Sequence, residues 1–222
     1  MTHVTLGEEL VLLSLDDDSG AGRDESSVAW AVAGAVLVEL ALAGRTEVRD
    51  DAVVVTDRSP VGVGYLDAEL ARLAEREEPP AVRKVLEQAR KEAPEGATRT
   101  LVERGLVRDE SRKVLGLFPV RRFPEAEGSV ETEVRRRLDA VVRHGAEPDG
   151  RTAALVALLH GARLQRLAFG SADRRRVQER MKEIAEGQGV PAAVRKAVDH
   201  AQAVLTVVAT TAATTGALAA EG

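Results

Sequence analysis

Few residues of this 222-residue chain have the types and spacing that catalysis requires. The chain has no cysteine, which excludes disulfides, thiolate metal sites and cysteine nucleophiles and agrees with a cytosolic location. Its histidines are scattered, and none has a second histidine or a carboxylate at metal-ligand spacing on one helix face: His3, His144, His160 and His200. We therefore predict no metal site, no cofactor and no enzymatic activity.

Two sets of acidic residues resemble catalytic carboxylates. The pair Glu8 and Glu9 and the run Asp16–Asp18 look like carboxylate dyads, but adjacent helical residues point to different faces. These acids are therefore predicted to form a solvated helix face and a loop. His160 lies inside the apolar segment Leu155–Leu167, which predicts a histidine packed in the core.

The chain is rich in arginine. Of the 31 basic residues only five are lysines, and arginine suits bidentate phosphate contacts better than lysine does. A GC-rich genome explains the same composition. Residues 1–60 carry 12 acids against 4 bases, whereas residues 61–222 carry 24 acids and 27 bases. This asymmetry permits one face to meet an anionic partner while the whole molecule stays acidic.

Hydrophobic periodicity predicts a mainly α fold, a single globular helical domain over residues 1–222 with short β-hairpins. The predicted helices cover residues 6–15, 28–42, 66–78, 81–92, 97–105, 129–143, 151–169, 171–187 and 191–220. Hairpins are predicted directly after the second and fifth of these helices. Ser26 and Ser27 are predicted N-caps, and Pro94-Glu-Gly96 is predicted to break a helix.

Two segments are apolar enough to suggest membrane spans, Val28–Gly44 and Ala201–Ala220. The first contains Glu39, and the second consists mostly of alanine and threonine, which insert poorly into lipid. We predict that both are core helices of a cytoplasmic protein. The N-terminus lacks the basic start, apolar run and small-residue cleavage site of a secretory signal.

A helix that ends in glycine and is followed by a hairpin also suggests a winged-helix DNA binder, and this arrangement occurs twice. The first such helix, Val28–Leu42, contains no Arg, Lys, Asn or Gln to reach a base edge, and it lies in the acidic part of the chain. Aromatic residues make up only 2% of the chain, which leaves few platforms for stacking bases. Nucleic-acid binding is therefore the least favoured interpretation.

Four sequence blocks, in order and at suitable spacing, carry a family resemblance. They are Leu6-Gly-Glu-Glu-Leu-Val-Leu-Leu-Ser-Leu15, Gly34-Ala-Val-Leu-Val-Glu-Leu-Ala-Leu-Ala-Gly-Arg45, Leu101-Val-Glu-Arg-Gly-Leu106 and Arg151-Thr-Ala-Ala-Leu-Val-Ala-Leu-Leu-His160. Together they resemble the Golgi phosphoprotein 3 family over about residues 4–210. The resemblance implies a mostly helical, non-enzymatic domain that binds membranes peripherally through the phosphatidylinositol 4-phosphate headgroup.

The resemblance also implies where a headgroup would bind. Ungapped counting from the matched blocks places the family's headgroup contacts on Asp24, Ala33, Lys91 and Pro94, of which Lys91 alone is a cation. Losing guanidinium groups and gaining a carboxylate weakens an anion site. Other cations nearby are expected to compensate, and we predict a lipid-headgroup site formed by Lys91, Arg90, Arg99 and Arg23.

The family's membrane-contact hairpin maps to about residues 110–123. Its apolar tip is predicted at Val114 and Leu115, flanked by cations as expected of a surface that enters an anionic leaflet: Arg112, Lys113, Arg121 and Arg122. An ordinary hairpin packed on the core fits the same pattern. The expected partners are an anionic membrane lipid, a client membrane protein and a second copy of the chain bound through the hairpin. A soluble interaction or regulatory domain with a decayed lipid site remains the main alternative.

Overall fold

The computed structural model describes residues 4–15, 22–110, 112–114, 118–120, 129–170, 173–188 and 199, and the fold is that of these residues. They form eight helices, α1 Leu6–Ser14, α2 Glu25–Leu42, α3 Gly64–Ala74, α4 Val82–Glu103, α5 Ser129–Val142, α6 Gly150–Gly161, α7 Gln165–Phe169 and α8 Arg174–Ala185. Four short strands, β1 Thr46–Arg49, β2 Ala52–Val55, β3 Arg112–Val114 and β4 Phe118–Val120, form two antiparallel hairpins. The predicted mainly α fold is confirmed. The segments Asp16–Asp18 and Ala201–Ala220 lie outside the described residues.

Helix α2 is the centre of the fold. Nearly every face of this helix is apolar, and it packs against α1, α4 and α6. It is long and apolar enough to cross a bilayer by composition alone, but most of its side chains are buried in the core, as predicted. The helix begins one turn earlier than predicted, with Asp24 as its N-cap at φ 51°. Ser26 and Ser27 therefore lie in the first turn, and the prediction that they cap the helix is wrong.

The first hairpin follows α2 through Gly44, whose φ of +70° suits glycine at the end of a helix. Thr46 of β1 pairs with Val55 of β2, and the turn residues Asp50 and Asp51 both have positive φ, as two-residue hairpin turns require. The second hairpin pairs Arg112 with Val120. Both predicted hairpins are thus present in the backbone.

Helix α4 runs without interruption through Pro94, so the predicted break at this position is wrong. An interior proline removes one backbone hydrogen bond and costs about 3 kcal/mol. The buried residues Val85, Leu86 and Ala89 precede the proline, and Ala97 and Leu101 continue the same apolar stripe after it. Since burying one large aliphatic side chain contributes about 1.5–3 kcal/mol, packing on both sides of Pro94 outweighs this cost.

The predicted helix over residues 151–169 is two helices, because Arg163 has a φ of 59° and ends the first of them. His160 lies half-buried near the end of α6 rather than inside the core. Burial lowers its pKa from the usual value; the negative charge of Glu186 opposes this effect, and the positive charge of Lys182 adds to it.

The prediction that Glu8 and Glu9 form a solvated face is also wrong, because both side chains are buried. Helix α1 packs against several other helices, so no face of it remains for water. The Glu8 carboxylate accepts a 2.8 Å hydrogen bond from the Thr5 amide in a capping box. The same carboxylate accepts a 3.0 Å bond from Arg104, the residue after α4.

Two further ion pairs complete this interior network. The Glu9 carboxylate lies 2.8 Å from the Arg137 guanidinium of α5, and the Glu39 carboxylate is bound through both oxygens, at 3.0 Å each, by Arg151 of α6. Burial raises the pKa of Glu8, and it raises the pKa of Glu9 to about 7. The network joins α1 and α2 to three later helices.

Candidate functional site

A cavity of about 700 Å³ opens where the end of α1 and the start of α2 meet the middle of α4. Its apolar wall consists of Val11, Leu15, Val28, Ala29 and Pro94. These residues come from three helices and their ends, so the cavity exists only once α1, α2 and α4 have packed together.

Three of the four predicted headgroup residues line this cavity. Arg90 and Lys91 lie on one side of Pro94, and Arg99 lies on the other, all on α4. The fourth, Arg23, follows the lining residue Gly22 and donates from its guanidinium to the Leu15 carbonyl over 2.8 Å. The structure therefore brings three of the four predicted cations to one cavity, and Arg23 lies next to it along the chain.

The cavity also contains acidic side chains. Glu25, Glu95 and Asp109 belong to its wall, and the Glu95 carboxylate lies 3.7 Å from the Arg99 guanidinium. This exposed pair contributes little to stability but reduces the positive charge that Arg99 presents. Arg90 and Lys91 are therefore the stronger candidates for binding an anion.

Arg90 has an aromatic partner that sequence reasoning did not identify. Its guanidinium carbon lies 4.8 Å from the ring centroid of Trp30 on α2, close enough for a cation–π interaction. The Nε atom of Arg90 is buried and has no hydrogen-bond partner among the described residues. The one signal in the sequence was Trp30 itself, the single tryptophan, in an otherwise aliphatic helix.

The positions that the resemblance maps to headgroup contacts fall in different environments. Pro94 and Lys91 line the cavity, which agrees with the mapping of the α4 positions. Asp24 is exposed at the start of α2, and Ala33 is fully buried within that helix. Neither of these two α2 residues supplies a donor for an anion, so the cations of α4 must supply the attraction.

The predicted membrane-contact hairpin begins close to the cavity along the chain. Asp109 lines the cavity, and β3 begins only three residues later at Arg112. Arg112, Lys113 and Val114 form β3, whereas Leu115, Arg121 and Arg122 lie outside the described residues. The roles predicted for these side chains stay predictions.

A second cavity, of about 760 Å³, lies between α3 and α4 and has a different character. Its arginines meet carboxylates: Arg72 pairs with Glu69 and Glu92, Arg104 pairs with Glu8, and Arg99, which lines both cavities, lies 3.7 Å from Glu95. The paired carboxylates neutralise these guanidinium groups, which leaves little positive charge for a ligand. We therefore place the candidate anion site in the cavity beside α1. In the ranges described, no group of three or more His, Asp or Glu side chains is arranged to hold a metal ion.

Comparison with known proteins identifies a family and a curated relative. The sequence model of the family described as Golgi phosphoprotein 3 (GPP34) matches residues 6–201. Vacuolar protein sorting-associated protein 74 of Eremothecium gossypii is 29% identical over 164 residues, which cover 63% of this chain and 49% of that protein. The chain thus spans about half the length of this curated relative.

Proposed function

This chain belongs to the Golgi phosphoprotein 3 (GPP34) family, and from that membership we propose that it is a non-enzymatic adaptor that binds anionic lipid at the cytoplasmic face of a membrane. The observation that carries the proposal is the grouping of Arg90, Lys91 and Arg99 around one cavity. We further propose that residues 1–222 form one domain, since the buried apolar residues of the described ranges form a single cluster.

The proposed site favours negative charge over any one headgroup. Family resemblance implies phosphatidylinositol 4-phosphate, but Asp24, Ala33 and Pro94 stand where the family's other headgroup contacts map. Arg90 and Lys91 supply the attraction instead, each contributing on the order of 1 kcal/mol near an anionic surface. We therefore expect little preference for phosphatidylinositol 4-phosphate over other anionic lipids of equal charge.

The hairpin supplies the second part of the proposal. Val114 and Leu115 would enter the lipid surface while Arg112, Lys113, Arg121 and Arg122 meet anionic headgroups. Its start near the cavity along the chain supports a shared membrane-facing side. The same tip would serve for contact with a second copy of the chain, and a client membrane protein would bind elsewhere on the adaptor.

A soluble interaction or regulatory domain is the second candidate. The acidic side chains Glu25, Glu95 and Asp109 in the cavity wall favour it, because they oppose an anionic ligand. A winged-helix DNA binder is less well supported, since α2, the helix before the first hairpin, is buried and has no free face for a groove.

Vesicle co-sedimentation of the full chain tests the cavity. The change is Arg90→Gln with Lys91→Gln, and the control is Arg83→Gln with Lys84→Gln, the same pair of residue types two turns earlier on α4. On phosphatidylcholine vesicles containing phosphatidylglycerol, the first variant should bind about 30-fold more weakly, since two cations contribute about 2 kcal/mol. The control should bind like the parent. Absence of parent binding to these vesicles, or equal binding by both variants, contradicts the proposal.

The hairpin is tested by Arg121→Glu with Arg122→Glu, and separately by Val114→Ser with Leu115→Ser. Charge reversal should abolish binding at low salt, because it replaces attraction with repulsion. The serine variant should lose the part of binding that persists at high salt, because apolar burial is not screened. Circular dichroism checks that each variant folds. A charge-reversed variant that sediments like the parent at low salt would exclude the hairpin as the membrane contact, and a parent that binds no vesicles would favour the soluble interaction domain.

A further inference from the structure

The contact between Arg90 and Trp30 adds a residue to the proposed lipid site, so the role of Trp30 rests on that proposed function. Trp30 is buried in α2, whereas Arg90 is half-buried on α4 and lines the cavity. Arg90 thus contacts the ring and also lines the cavity, whereas Trp30 is not part of the cavity wall. No carboxylate of the described residues is within ion-pair distance of Arg90.

An aromatic ring and a carboxylate hold an arginine in different ways. A carboxylate neutralises the charge and occupies the N–H donors, as in the pair of Arg137 with Glu9. A ring attracts the cation through its π face, leaving the charge and the in-plane donors free. The guanidinium is fixed in position yet remains able to bind an anion.

Burial of part of Arg90 decides which of its donors an anion can reach. Its Nε atom is buried and has no hydrogen-bond partner in the part of the chain that the structure describes. Because this Nε atom is closed to solvent, a phosphate in the cavity would accept hydrogen bonds from the terminal N–H groups of the guanidinium. Lys91, the next residue, is exposed at the same cavity and offers a second charge.

We propose that Trp30 is a positioning residue that holds the Arg90 guanidinium ready for bidentate binding of a phosphate group. The ring itself does not touch the ligand, and its effect passes through Arg90. The bound group is a phosphate, carried either by a lipid headgroup or by a soluble molecule. Because Trp30 is the single tryptophan of the chain, the tryptophan emission comes from this residue alone, and Arg90→Gln identifies the part that depends on the contact.

The test compares Trp30→Phe, Trp30→Leu, Arg90→Gln and the double variant Trp30→Leu with Arg90→Gln. Binding to vesicles with and without phosphatidylglycerol is measured by co-sedimentation at low salt. Phenylalanine keeps a π face, so that variant should bind within about threefold of the parent. Leucine should weaken binding about fivefold, as Arg90→Gln does, and the double variant should lose no more than either single change. Arg83→Gln is the matched control.

A second measurement follows the tryptophan emission of the parent and of Arg90→Gln. Vesicles containing phosphatidylglycerol, or inorganic phosphate in their place, should shift the emission of the parent but not of Arg90→Gln. A shift with vesicles alone identifies a lipid phosphate, and a shift with inorganic phosphate alone identifies a soluble one; the latter supports the role of Trp30 while contradicting the lipid adaptor.

The role of Trp30 is overturned if Trp30→Leu folds and binds like the parent while Arg90→Gln does not. That result leaves the proposed lipid adaptor standing. It is equally overturned if Trp30→Phe, which keeps a π face, loses binding as fully as Trp30→Leu, since the loss then reflects packing rather than the π face. If the parent binds neither vesicles nor phosphate, both proposals fail together.

Discussion

The interior around α1 and the cavity beside it both contain arginines, but the partners of those arginines differ. In the interior, each guanidinium meets a carboxylate: Arg104 with Glu8, Arg137 with Glu9, and Arg151 with Glu39. In the cavity, Arg90 meets the ring of Trp30, and Lys91 is exposed. The two regions are adjacent, since α1 and α4 contribute to both.

The difference separates structural from binding arginines. An arginine paired with a buried carboxylate joins two helices and has little charge left for a ligand, and removing it strands the carboxylate in the interior. An arginine held by a ring keeps its charge, and removing it leaves no buried carboxylate without a partner. Substitutions in the interior should therefore change stability, whereas substitutions in the cavity should change binding.

The largest expected effect is that of Arg151→Met. It leaves Glu39 without both of its 3.0 Å bonds from Arg151 and also removes the bond to the Val4 carbonyl. Breaking such a pair costs about 3 kcal/mol, measured as the free energy of urea unfolding. Adding Glu39→Gln should restore part of this loss, because a neutral amide still accepts the Leu6 amide hydrogen and is cheaper to bury.

The matched control for Arg151→Met is Arg175→Met. Arg175 pairs with Glu179 on α8, but its side chain is 93% exposed, so the free energy of unfolding should change by no more than about 0.5 kcal/mol. Equal losses from the two variants would remove the distinction between paired interior arginines and surface ones.

The next largest expected effect is a pH dependence of the free energy of unfolding that comes from Glu9. Burial raises the pKa of Glu9 to about 7. The positive charges of Arg137 on α5 and Arg151 on α6 lower this pKa in part, and the negative charge of Glu39 on α2 raises it. A raised carboxyl pKa favours folding while the group is protonated, so this contribution is complete below the unfolded pKa of about 4.5 and is lost as pH rises through 7. The free energy of unfolding should fall by about 3 kcal/mol across that range.

Glu9→Gln tests this pH dependence, because glutamine cannot titrate. Its urea midpoint should vary less between pH 5 and pH 8 than that of the parent. The control is Glu133→Gln on α5, whose carboxylate is hydrogen-bonded by Arg136, which lowers its pKa and gives the opposite sign. A parent that gains stability from pH 5 to pH 8 while Glu9→Gln does not would show that Arg137 outweighs desolvation.

The smallest expected effect on the stability of the protein is that of substituting cations in the cavity. Lys91→Gln with Arg99→Gln removes two exposed cations, so the free energy of unfolding should change by no more than about 0.5 kcal/mol. Binding to anionic vesicles should weaken in the same variant. A destabilisation as large as that of Arg151→Met would show that these residues are structural and would remove them from the candidate site.

Several features of the fold could be predicted from local sequence. The apolar run of α2 predicted a central helix, and Gly44 and the two aspartates that follow it predicted the end of that helix and a hairpin. Arg90, Lys91 and Arg99 were predicted at one site, and the structure places them around one cavity. The helix and the hairpin could be predicted because each depends on residues close together in the chain, whereas the lipid-binding role of the three cations stays a prediction.

Other predictions failed for a shared reason. Pro94 and the pair Glu8 and Glu9 were interpreted from local rules, namely that proline ends a helix and that adjacent acids face water. In the fold, packing of α4 on α1, α2 and α3 carries the helix through Pro94. Arg104 and Arg137 neutralise Glu8 and Glu9 in the interior. Long-range contacts outweighed the local preference in each case.

By itself, the sequence determined the helical character, the two hairpins and the supply of arginines, because periodicity, turn residues and composition act over short distances. Only the tertiary structure decided which arginine would meet which partner. Glu9 and Arg137 are 128 positions apart, and Trp30 and Arg90 lie on different helices, so no spacing rule connects them. A guanidinium is neutralised or left free to bind according to the group that the fold brings within about 4–6 Å of it.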